Sequence, residues 1–387
     1  MKKVLIISDT CTHPTRMGNS FAILAQVECL KRIGCEVHIL YFQERQRGID
    51  PKKYDDTLAL MREYWGNNLH YFIISSLERF WHNNVNRIRD KFYNGCHTLY
   101  DLYPWHLTRI AKSLQNQYDF DACIVNYIFF TKVFDKVDFP IKACFTHDTF
   151  AYKILHVNEL CKWVDANSEA ESLQRCTDVL AIQEEEMNYF KVLSPRSKHY
   201  SVFTPYEYNP QLQVSNHKIV FLSGANIYNQ NGFNWFMEEV FPKLRKKVND
   251  AEIVIGGGIC NSIRDKYSGI DGVNIVGFVE NPTSFYQQGD VSINPTYQGT
   301  GLKIKTFEAI ANDKVTIVHP HSTSGIFDKE HAPLFVSANP DQWVEYISSV
   351  WENPHIITRI KAANKEYIKR LNDHIESEYK RLLFGSV

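Results

Sequence analysis

Two doubly wound α/β domains are predicted for this chain, and three observations carry the prediction. Short apolar runs of strand length alternate with amphipathic helical stretches, first from Lys2 onward and again from Lys218. The 387 residues exceed what one ordinary core organises, so two domains of roughly 150–200 residues are expected. Between the two series lies a polar stretch containing Pro195, Pro205 and Pro210, with the composition of a linker.

The first series opens with a strand over residues 2–8, a loop holding Pro14 and Gly18, and an amphipathic helix over 20–33 that Gly34 terminates. A strand over 36–42 completes a βαβ unit, whose strands are parallel with a right-handed crossover. Residues 43–117 then break the rhythm. Rich in Tyr, Trp, Phe, Arg and His, they read as a helical insert rather than strands. It carries Trp65, Trp81, Trp105 and many tyrosines, and most of these aromatics read as core. A minority, with Arg87, Arg89 and Lys91 nearby, offer an acceptor groove or a membrane-facing patch. Further strands are expected over 121–126, 143–146 and 178–182, the last followed by a helix carrying Glu184, Glu185 and Glu186. Residues 194–216 read as loop. The second series places strands over 218–223, 252–256, 274–277, 291–294 and 315–319, with helices over 231–248 and 305–312. After Trp351 the spacing is helical to the end. The domains are therefore 1–205 and 217–355, with a helical tail over 356–387 packing back toward the first.

Composition excludes several classes. The formal net charge of −1 gives no global field for nucleic acid or a membrane surface. The apolar runs are strand-sized, too short for a spanning helix, and the N-terminus reads as a first buried strand rather than a leader. Nine scattered cysteines without a CxxC pair fit reduced, buried thiols in a cytosolic protein.

The densest chemistry lies in residues 294–311. An apolar strand ends at Pro295, crosses Gly299-Thr300-Gly301, and becomes a helix carrying Glu308. Unpaired N–H groups and the helix dipole at such a junction attract an anion. Lys303 and Lys305 add full charge where a phosphate would sit. Glu308, one turn into the helix, is placed to accept hydrogen bonds from ligand hydroxyls. Alone, each has a plainer reading: solvated loop lysines, and an acid favoured by the dipole. Together they indicate a nucleotide-sugar diphosphate. Gly256-Gly257-Gly258 follows a strand without the spacing of a dinucleotide GxGxxG, so a dehydrogenase reading is poor.

The order of Phe221-Leu222-Ser223-Gly224, Ala251–Gly258, Ile275-Val276-Gly277-Phe278-Val279 and Gly299–Ala311 resembles glycosyltransferase family 4, the retaining GT-B enzymes, most strongly over residues 219–354. The resemblance implies two Rossmann-like domains facing a central cleft, the first binding the acceptor and the second the nucleotide sugar. By position Glu308 is similar to the second glutamate of the family's E-x7-E pattern, which holds the ribose hydroxyls. The first falls on Thr300, and the GTG-x-K-x-K loop resembles a subset of the family. The usual Arg and Lys after the domain's first strand are missing from residues 223–232, leaving Lys303 and Lys305, with Gly301, for the diphosphate. The resemblance assigns catalytic work to His147 and Lys303, the donor sugar or its loop to Thr300 and Gly18, and the base region to Gly256, Gly277 and Phe278. Taken alone, His147 is as readily structural, and Gly18 a shaper of its loop.

No cofactor or metal is expected: the lysines replace a divalent cation, and Asp55-Asp56 and Glu184–Glu186 lie in helical contexts rather than a DxD loop. The expected partners are a nucleotide-sugar donor and a glycan or lipid-linked acceptor, with no nucleic acid. The expected location is the cytoplasm, with peripheral association at the inner membrane face as a variant. The implied activity is retaining sugar transfer in surface polysaccharide assembly. A nucleotide-sugar 2-epimerase of the same architecture and a degenerate nucleotide-binding scaffold, motivated by Thr300, are the alternatives.

Overall fold

The structure, a computed structural model, describes residues 1–15, 18–44, 50–81, 84, 103–151, 164–212, 216–299 and 302–385. The chain forms two compact units, Met1–Pro205 with His374–Val387, and Tyr206–Asp373.

The first unit is built on seven parallel strands: β1 (Lys3–Ser8), β2 (Glu36–Glu44), β3 (Leu69–Ile74), β4 (Ala122–Asn126), β5 (Ile141–Phe145), β6 (Asp178–Ala181) and β7 (Lys198–Ser201). Their order is β3-β2-β1-β4-β5-β6-β7. Val4–Ile7 and residues 122–125 are fully buried, because helices cover both faces of a parallel sheet. The first helix, Gly18–Arg32, ends in Lys31 and Arg32, which favour the negative end of its dipole, and Gly34 follows at φ +88°.

Two expectations are corrected here. The insert over 43–117 is not wholly helical: between the helices Pro51–Trp65 and Leu107–Tyr118 it contributes β3, paired with β2 from Ile39↔Leu69 to Glu44↔Ile74. Within 194–216, read as loop, Lys198–Ser201 pairs with β6 as the opposite edge. Of the insert's tryptophans, Trp65 is buried and donates Nε1–H to Thr12 Oγ1 at 2.9 Å, while Trp81 and Trp105 are exposed. Arg87, Arg89 and Lys91 lie outside the described residues.

The second unit carries six parallel strands: β8 (Lys218–Leu222), β9 (Glu252–Gly256), β10 (Val273–Gly277), β11 (Val291–Asn294), β12 (Val315–Val318) and β13 (Leu334–Val336), ordered β10-β9-β8-β11-β12-β13. The run expected as one helix over 231–248 begins at Ile227 and has three joined pieces. Ile227–Trp235 and Phe241–Lys247 are α-helical, and Phe236–Val240 forms a π turn between them. Pro242 has no N–H to return to residue 238, so the widened turn falls where the α ladder would break. Phe221, Phe233, Phe236, Ile253, Ile255, Trp343 and Ile347 form the core between the sheet and the helices.

In each sheet the strand order reverses beside the first strand, at β1/β4 and at β8/β11. Connections leave opposite faces there, opening a crevice at the carboxyl ends. The last helix, Pro354–Phe384, contributes residues to both units, changing from one to the other at Asp373/His374. No helix among the described residues is long and apolar enough to cross a membrane.

Candidate functional site

At the β8/β11 reversal the second unit holds a cavity of about 470 Å³, within the range typical of small-ligand sites. One wall is the loop after β8 with the start of the helix Ile227–Trp235. The other is the loop after β11 with the start of the helix Ile304–Ala311. Two helix N-termini therefore border one space.

Small residues bring the walls together. A Cβ on Gly232 would lie 2.8 Å from Pro295 O and from Thr296 Cα, so the helix Ile227–Trp235 rests directly on the backbone leaving β11. Gly257 is left-handed at φ +91°, and a Cβ there would lie 2.5 Å from Ser223 O. Side chains then fix the loops. Asn294 donates Nδ2–H to Thr306 Oγ1 at 2.9 Å, joining the end of β11 to the helix it feeds. Ser322 Oγ donates to Thr296 O at 2.6 Å, and His321 donates Nε2–H to Gly299 O at 2.8 Å. On the facing wall Asn226 caps its helix, its Oδ1 accepting from Asn229 N at 2.8 Å.

Lys303, Lys305 and Glu308 all line this cavity. Lys303 is buried and donates to Gly299 O at 3.4 Å. Lys305 donates to Asn229 Oδ1 and to Thr296 Oγ1, the latter at 3.2 Å, with its ammonium 5.6 Å from the Phe221 ring centroid. Burial lowers its pKa to about 7, with the Lys303 charge acting the same way and Glu308 opposing. Burial raises the Glu308 carboxyl to about 7 against the pull of Lys305. Among the described residues no side-chain or backbone donor is bonded to the Glu308 carboxylate. Ser223 Oγ is likewise buried without a partner. The cavity thus offers cationic donors at one side, and an acceptor and a hydroxyl awaiting partners.

Other expected residues lie elsewhere. Thr300 and Gly301 fall outside the described residues. Gly256 and Gly277 end β9 and β10 and do not line the cavity; their neighbours Gly257 and Gly258 do. A Cβ on Gly256 would meet Val279 at 2.5 Å and Phe285 at 2.7 Å, so Gly256 serves packing. Phe278 is 89% exposed.

His147 and Gly18 belong to the first unit. His147 follows β5 in left-handed backbone, φ +62°. Its ring is stacked on Tyr127 with centroids 4.4 Å apart, and its Nε2 lies 2.7 Å from Asn126 Oδ1. Burial holds its pKa down at about 3, so the imidazole is neutral. Glu169 steadies the segment after it, accepting from Phe150 N at 2.9 Å, Ala151 N at 3.3 Å and Tyr189 Oη at 3.0 Å. Gly18 starts the helix Gly18–Arg32, whose Asn19 donates to Tyr127 Oη at 3.2 Å.

Asn229, Ser223 and His321 are not singled out by the sequence. Asparagine at N3 of a capped helix carries no signature of a contact with a lysine 76 positions on.

A fold of two all-parallel, doubly wound sheets is that of the GT-B glycosyltransferases. Residues 216–353 match the family described as Glycosyl transferases group 1. A curated relative, an "uncharacterized 44.6 kDa protein in cps region" of Klebsiella pneumoniae, is 22% identical over 371 residues, covering 88% of each chain. Among solved structures, a mutant of S. aureus TarM in complex with fondaparinux, alpha-GlcNAc-glycerol and UDP has a TM-score of 0.65 at 12% identity. The match covers 99% of this chain and 100% of that one. Sucrose-phosphate synthase from Thermosynechococcus elongatus has a TM-score of 0.65 at 13% identity, covering 100% of both.

Proposed function

We propose that the chain is a retaining, hexosyltransferase-type glycosyltransferase of family 4 that binds a nucleotide diphosphate sugar in the cavity of its second unit. It transfers the sugar to a glycan or lipid-linked acceptor in surface polysaccharide assembly. The observation that carries the reading is the composition of one cavity wall: two lysines at a helix start, followed a turn later by a carboxylate that no donor in the described protein engages. Lys303 and Lys305 neutralise the donor diphosphate, and Glu308 accepts from the ribose hydroxyls. With two cations in place the diphosphate needs no divalent metal as counter-charge. As the glycosidic bond breaks, negative charge grows on the leaving diphosphate, and Lys303 stabilises it there. The same oxygens take the proton of the acceptor hydroxyl attacking from the same face, so configuration is retained. His147, neutral, hydrogen-bonds the transferred sugar. Gly301, Thr300 and Gly18 are assigned to the phosphate and sugar loops, and Gly257 and Gly258, which line the cavity, to the base side with Gly277 and Phe278 beyond them. The UDP of the TarM complex and the cps-region relative support the donor class and the pathway class respectively.

Calorimetric titration with UDP tests the site. Lys303→Ala and Glu308→Ala each lose a charged hydrogen-bonding group, an expected loss of about 1.5–3 kcal/mol, or roughly 10- to 100-fold in affinity. Wild-type affinity in both variants would sink the assignment. Transfer from a panel of UDP-sugars in the presence of a chelator, with the product's anomeric configuration read by NMR, tests the reaction. Turnover requiring a divalent metal, or inversion, contradicts it.

A further inference from the structure

Asn229 lies across the cavity from Lys305, in the first turn of the helix Ile227–Trp235, and its N–H and both ends of its side-chain amide are engaged. The backbone N–H donates to Asn226 Oδ1 at 2.8 Å, and Nδ2 donates to Gly224 O at 3.1 Å. Its Oδ1 accepts from Lys305 Nζ and from Thr296 Oγ1, the latter at 3.4 Å. The side chain is buried. It therefore ties the loop after β8 to the loop after β11 through a single amide, and its orientation is set from both ends.

Among the described residues Lys305 is bonded only to neutral groups. Its ammonium contacts an amide oxygen, a hydroxyl and the face of Phe221. From β8, the helix Ile227–Trp235 and the exit of β11, the groups facing it are Phe221, Asn229 and Thr296, none of them charged. Its charged neighbours, Lys303 and Glu308, lie on its own segment. An ordinary buried lysine is paired with a carboxylate, because an unpaired charge is costly to bury. Here the acceptor best placed for such a pair is the one side chain of similar shape that carries no charge.

We propose that Asn229 is a positioning residue whose neutral amide fixes the Lys305 ammonium in the cavity wall while leaving its positive charge free to be met by an anionic ligand. The proposal rests on the donor-diphosphate reading of this cavity. An aspartate at position 229 keeps the shape and the acceptor oxygen, and the helix dipole favours an acid in the first turn. It would also pair with the lysine and cancel the charge that a diphosphate needs.

The test compares wild type, Asn229→Asp and Asn229→Ala in the full chain. UDP and inorganic pyrophosphate are titrated between pH 6 and 9. Lys305 is labelled in the ligand-free protein by an amine-acylating reagent across the same range, with mass spectrometric readout, and melting of each ligand-free protein reports folding. Asn229→Asp, which sets a carboxylate oxygen against Gly224 O where Nδ2–H donated, is expected to stay cooperatively folded, and to bind both anions about tenfold or more weakly at pH 6.5. It should lose the wild-type decline in affinity toward pH 9, with Lys305 labelling moved to higher pH. Asn229→Ala is expected to bind more weakly yet keep the alkaline decline. Wild-type affinity in Asn229→Asp, or an unmoved labelling midpoint, overturns the proposal. If the wild type binds neither anion, the donor reading fails by itself, and the labelling midpoint still decides whether Asn229 governs the charge of Lys305.

Discussion

Glu308 has a carboxyl whose ionisation is governed by its burial, with the Lys305 charge opposing. Burial raises its pKa to about 7, so the ligand-free folded chain retains this proton where the unfolded chain, at the ordinary value of 4.5, has lost it. The resulting stabilisation is complete below about pH 4.5 and disappears as pH rises through 7. Glu308→Gln, which has no charge to bury, should match wild type at pH 5 and exceed it at pH 8, by on the order of 1–3 kcal/mol in urea unfolding. Equal stability of the two at both pH values would contradict the burial argument. His147 behaves in the opposite sense: with its pKa near 3 it stays neutral across any practical assay range. His147→Ala should therefore lower turnover while leaving UDP affinity and the limbs of the pH–rate profile between 5 and 9 where they were. Lys303, Lys305 and Glu308 were legible in the sequence because one contiguous loop and helix start carry them all. Asn229 and Ser223 were not, since their roles exist only once two loops of the sheet are brought side by side.

At the scale of elements, close backbone approach decides the shape of the site. Gly232→Ala forces a methyl group against the Pro295 carbonyl and Thr296 Cα, backbone atoms that cannot turn aside. A stability loss of about 1–3 kcal/mol is expected by urea denaturation, with weaker UDP binding because the two walls separate. A variant as stable as wild type would show that the helix can retreat freely. The same scale explains which strands the sequence concealed. β3, β7 and β13 all lie at sheet edges, paired on one side only. β3 exposes Tyr71 and Ile73, β7 begins with an exposed lysine, and β13 has three residues. None is buried along its whole length as a strand covered on both faces is. Interior strands such as β1, β4 and β8 carry apolar runs that are buried, and their positions follow from hydropathy alone.

For the molecule as a whole, the two units differ in how the chain completes them. Tyr206–Asp373 is one continuous segment, whereas the first unit needs both ends of the chain. Residues 206–373 produced alone are expected to fold and bind UDP with affinity close to that of the full chain. Residues 1–205 alone lack Ile375, Tyr379, Leu382 and Leu383, which are buried in the full chain, and are expected to aggregate unless 374–387 is supplied. Soluble, cooperatively melting 1–205 would refute this. The doubly wound character of both halves was readable from strand–helix alternation. The return of the last helix to a sheet formed some two hundred residues earlier leaves no local pattern beyond helical spacing.

That return has a consequence for how such genes can recombine. His374 meets Ser201, Glu378 accepts from the Ser201 amide, Tyr379 is bonded by Gln26, and Arg381 donates to the His199 carbonyl. A single crossover near residue 205 would exchange the Tyr206–Asp373 unit but also replace this closing segment with one shaped for another parent. The second unit can be exchanged cleanly between two such genes only by a double crossover, with junctions near codons 205 and 374.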